Sequence, residues 1–95
     1  MMYSPDVEQV ARVIAENVAS AFERMCNDGV FEENERETVV QGLMRELLTV
    51  LPTASGETVA YVCNRHLAVL AECGMHGPRV EAIDLDDGSV TMAPF

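Results

Sequence analysis

The hydrophobic period of this chain changes once. Up to about residue 73 apolar residues recur every three or four positions, whereas from Arg79 onward they alternate with polar ones around an Asp87-Gly88 pair. A helical pattern cannot bury one face as a strand, nor an alternating one as a helix, so the change specifies an α+β chain. The expected architecture is a three-helix unit followed by a C-terminal β-hairpin, packed on the helices or paired across a dimer. With 95 residues and short connections, residues 1–95 form a single domain.

Local signals place the elements. Ser4 is a suitable N-cap with Pro5 at the first helical position and Asp6 and Glu8 in the opening turn, and Asp28-Gly29 stops a helix over about 5–27. Its apolar stripe is narrow: Val7, Val10, Ala11, Ile14, Val18, Ala21, Phe22 and Met25 fall within roughly 120°. Asn34 and Glu37 have the spacing of a cap for a second helix over about 34–51, halted by Pro52. Its apolar arc, from Val39 to Leu51, is roughly 180° wide, so this helix is either central or part of an oligomer contact. Ser55 caps a third helix over about 56–73, ended by Gly74, whose arc of roughly 200° has His66 near its middle.

The tail over about 79–94 reads as a hairpin. A type I′ turn at Asp87-Gly88 would pair Leu85 with Val90 and Ile83 with Met92 on one face, and Asp84 with Thr91 and Ala82 with Ala93 on the other. A lone hairpin is marginal in water, so the strands must dock on the helices or extend a sheet between subunits. The broad arcs of the second and third helices, with the hairpin's open edges, lead us to expect a homodimer.

Charge narrows the partner. Sixteen acidic residues face six basic ones, all arginine, for a formal net charge of -10. Direct binding to nucleic acid or to an anionic membrane needs the opposite sign, whereas a basic protein surface suits such a field. No apolar run reaches the roughly 20 residues of a membrane span. The first residues, MMYSPDVEQ, are acidic where a secretory signal is basic and then apolar, so the expected compartment is the cytoplasm.

The candidate partner-binding residues follow from that charge. Asp28, Glu32, Glu33, Glu35 and Glu37 form one acidic segment opposed by Arg36 alone, and Asp84, Asp86 and Asp87 form a second at the hairpin tip. Each also has a structural use, at a helix N-terminus and in a turn. Together they could present carboxylates at phosphate-like spacing to a basic, for example nucleic-acid-binding, protein.

Spacing and local charge limit the other constellations. Cys63, His66, Cys73 and His76 follow a C-x2-H-x6-C-x2-H order, but on one continuous helix the two cysteines stand about 15 Å apart, too far to share a zinc ion. No metal or other cofactor is expected. Cys63 and His66 could meet as a thiolate–imidazole pair, yet an apolar arc in an acidic protein raises a thiol pKa, and no catalytic residues are expected. A calcium loop fails because counting back from Gly88 puts Ile83 and Leu85 at ligand positions.

The sequence therefore leads to a non-catalytic small acidic interaction module. It would be a regulator or inhibitor of the kind found among phage and mobile-element proteins, a comparison of charge and size alone. The alternative is a homodimeric sensor or assembly subunit responding to pH, thiol state or metal through His66, Cys63 and Cys73.

Overall fold

The computed structural model describes the backbone over residues 5–25, 33–71 and 79–93, and side chains over 6–23, 36–69 and 79–93. Helix α1 is Pro5–Met25, α2 Glu33–Val50 and α3 Gly56–Ala71, and strands β1, Arg79–Ile83, and β2, Val90–Ala93, form a two-stranded antiparallel sheet. The expected α+β order of three helices and a hairpin packed on them is what the chain adopts.

Helix α2 packs between α1 and α3, and the hairpin closes the remaining side, with β1 on α3 and β2 on α1. The core is built from the three helices and β1, with the partly buried Val90 and Met92 of β2 packed against it. Ala11, Ile14, Ala15, Val18 and Phe22 come from α1, Leu43 and Leu47 from α2, Val59, Val62, Cys63 and Leu67 from α3, and Val80 and Ile83 from β1. Among its described side chains helix α2 buries only Leu43 and Leu47 completely, and Val39, Val40, Met44 and Leu48 are half-buried along its broad apolar arc.

The helix ends differ slightly from expectation. Helix α2 begins at Glu33, so Asn34 lies inside it rather than capping it. Carboxylates in a first turn interact favourably with the helix dipole, which allows the start to move back into the acidic segment. At the other end Leu51 N–H donates to Leu47 O, and the turn through Pro52 closes with Thr53 N–H donating to Val50 O. Ser55 does cap α3: its Oγ accepts from Thr58 N–H at 3.3 Å, and its carbonyl accepts from Val59 N–H. Ser4, Asp28, Gly29 and Gly74 lie outside the described residues.

The hairpin register is not the expected one. Ile83 pairs with Val90 and Ala82 with Thr91, and beyond an irregularity between Val80 and Ala82 the pairs are Val80 with Met92 and Arg79 with Ala93. A type I′ turn needs positive φ at both central residues, and Gly88 alone is positive, at 76°. The chain instead makes a four-residue loop, Leu85–Gly88, in which Gly88 N–H donates to Asp84 O and Asp84 N–H to Ser89 O. Relative to expectation the strands slide by two positions at the turn, which keeps Ile83 and Val90 on the inner face. The extra residue, Glu81, is a bulge that lets Val80 and Ile83, three apart, both point into the core.

Two contacts seat the hairpin. Asn64 of α3 donates through Nδ2 to Val80 O at 3.1 Å and accepts Val80 N–H through Oδ1 at 2.8 Å. At the loop, Gly88 lies against α1, where Asn17 Nδ2 donates to Gly88 O at 3.4 Å and a β-carbon would come 3.1 Å from Val13 Cγ1.

Candidate protein-interaction surface

The expected binding carboxylates fall into three groups. Glu37 is exposed near the start of α2, beside Arg36, whose Nε stands 2.7 Å from Glu23 Oε2 on α1. Glu33 and Glu35 lie in the backbone of the same first turns, while Asp28 and Glu32 lie outside the described residues. Asp84, Asp86 and Asp87 are exposed at the hairpin tip. The tip rests on the Val10, Val13 and Asn17 flank of α1, and α2 packs along another flank, so α1 stands between Glu37 and the three aspartates.

At the tip, local hydrogen bonds engage two of the three aspartates. Asp84 Oδ1 accepts Asp86 N–H at 2.9 Å, and Asp87 Oδ1 accepts both the N–H and the hydroxyl of Ser89. The Ser89 hydroxyl, followed by its N–H, holds the Asp87 carboxyl below its ordinary value of 3.8. A carboxyl with a lowered folded pKa adds stability above the unfolded pKa and loses it as pH falls through the folded value. Asp87→Asn is therefore expected to melt at a lower temperature than wild type at neutral pH, with the gap closing on acidification below 3.8. Thermal melts across that range check this, and a gap independent of pH would show that the charged form is not what the loop holds.

Three of the six arginines are engaged by carboxylates. Arg12 pairs with Glu8 at 3.8 Å, Arg36 with Glu23, and Arg65 with Glu46 at 2.9 Å. Among the described residues Glu16, Glu37, Glu57, Glu81, Asp84 and Asp86 are exposed carboxylates with no cation paired to them. The uncompensated charge is thus spread over α1, α2, α3 and the hairpin rather than confined to two clusters.

The region around His66 differs from its expected setting. His66 sits on the α2 flank of α3, with Nε2 2.7 Å from Glu46 Oε2, so Glu46 bridges His66 and Arg65. Gly42 makes room for the ring, since a β-carbon there would be 3.2 Å from His66 Cε1. The outward face of α3 carries Tyr61 and Val69, which are 64% and 53% exposed, instead. Val69, an apolar residue of α3, stands outside the core. Nothing in the spacing of α2 and α3 marks Glu46 as the partner of His66; their meeting depends on how the helices cross.

Cys63 is fully buried, and burial pushes its thiol up to about 12, which keeps it protonated and removes it from reagents. Among the described residues no three ligating side chains come together as a metal site, and Cys73 and His76 lie outside them. No described helix is long and apolar enough to cross a membrane. Comparison with known proteins finds no matching family model, no similar curated protein and no similar solved structure.

Proposed function

We propose that this protein is a non-catalytic interaction module that presents an acidic surface to a basic protein partner in the cytoplasm, as a regulator or inhibitor would. The observation that carries the reading is the charge imbalance as it stands on the surface. Three of the six arginines are already held by carboxylates, while among the described residues exposed acids on the three helices, on β1 and in the hairpin loop have no cation paired to them. Such a field speeds encounter with a positive surface and selects against nucleic acid, with a strength that salt screens.

The test is a pull-down with wild type beside a variant carrying Glu32→Lys, Glu33→Lys, Glu35→Lys and Glu37→Lys, eluted by a salt gradient. A basic protein retained by wild type alone and released at moderate salt is the expected result. Identical capture by both versions, with the variant's fold verified by circular dichroism, would reject the acidic surface as the recognition element.

A second reading, the homodimeric assembly subunit, is favoured by Tyr61 and Val69 standing open on the outward face of α3. A second copy seated there would meet that face rather than His66. Chromatographic mass at micromolar concentration decides it, a strict monomer ending the idea.

A further inference from the structure

Helices α1 and α2 leave a groove of about 510 Å³ on their outer side. Its floor is apolar, made by the half-buried Val40 and Met44 of α2, with the fully buried Ala15 of α1 beneath. Its rims are polar, with Arg12 and Glu16 on the α1 side and Arg36, Glu37 and Gln41 on the α2 side. An apolar centre within a polar rim is the anatomy of a protein interface. The α1 wall runs from Arg12 to Ser20, which at 1.5 Å per residue is about 12 Å, the length of two helical turns.

The rim charges choose the occupant. Arg12 and Arg36 are paired with Glu8 and Glu23, so the two arginines are balanced where they stand. Glu16 lines the groove from α1 and Glu37 from α2, with no cation paired to either among the described residues. A second copy of the chain would bring the same two carboxylates and another net charge of -10 to the contact. We infer that the α1/α2 groove receives an amphipathic helix of the partner, with apolar side chains on the Val40 and Met44 floor and lysine or arginine flanks against Glu16 and Glu37. Apolar seam residues with charged flanks are how two helices accept a third, and the flanks choose the partner. The inference rests on the acidic-interaction reading and adds where the basic partner docks and in what form.

The experiment uses a synthetic 14-residue peptide with leucine at helical seam positions and lysine elsewhere, beside a scrambled peptide of the same composition. Both are titrated into isotope-labelled full-length protein and followed by amide chemical shifts. The expected result is saturable shifts centred on Ser20, Val40, Gln41 and Met44, with the scrambled peptide and the groove-filling variant Gln41→Trp each weaker by about tenfold or more. Ser20→Trp fills the opposite wall and is expected to act alike, and dispersed spectra establish that each variant is folded. Equal binding of both peptides, or no effect of either tryptophan, overturns the groove while the acidic-surface reading stands. Binding of neither peptide at low salt overturns both. Groove shifts that grow with protein concentration before peptide is added assign the site to a second copy and overturn the inference.

Discussion

Asn64→Leu loosens the hairpin from α3 and destabilises the protein by about 2–4 kcal/mol, because it strips partners from two backbone groups of a strand residue that is 3% exposed. Leucine fills a similar volume, so the loss is one of hydrogen bonds rather than of packing. Asn64→Asp keeps an acceptor for Val80 N–H but sets a carboxylate oxygen against Val80 O, and is expected to be no better. Urea denaturation measures both. A midpoint within experimental error of wild type for Asn64→Leu would mean that water replaces the amide at no cost.

Gly56→Ala lowers stability by about 1–2 kcal/mol, although alanine is in general the better helix former. The reason is a close approach: a β-carbon at position 56 would lie 2.5 Å from Ile83 O, and a backbone carbonyl cannot swing aside as a side chain can. Overpacking of this kind costs about 1–3 kcal/mol and exceeds the gain in propensity. The melting temperature and the dispersion of the β1 amide signals should fall together. A rise in melting temperature would show that the hairpin shifts freely and that propensity decides.

Both predictions concern residues to which sequence reading assigned no role, and the reason is common to them. Periodicity reports which way a side chain faces with respect to its own element, so the order of elements, the α1 stripe and the Ser55 cap were legible. Asn64 and Gly56 matter because of what lies across from them, which depends on how α3 and β1 cross. The hairpin register failed on a related point. Asp87-Gly88 fits a type I′ turn locally, but positive φ at Gly88 alone, the Asp84 and Asp87 side-chain hydrogen bonds, and the need to bury Val80 with Ile83 select a longer loop and a bulge. The acids at the hairpin tip illustrate the same limit for function, since two of the three have turn duties that their charge does not disclose.

The meeting of Gly88 with Asn17 joins positions 71 residues apart, whereas α1 with α2 and α2 with α3 are neighbours along the chain. Closing so long a span adds little to the equilibrium cost, since that cost grows only with the logarithm of length. Its effect is on time: distant contacts are slow to form, and those made after the transition state govern unfolding rather than folding. If the helices pair first and the hairpin tip settles on α1 last, the Val13, Asn17 and Gly88 seam is where the lifetime of the native state is set.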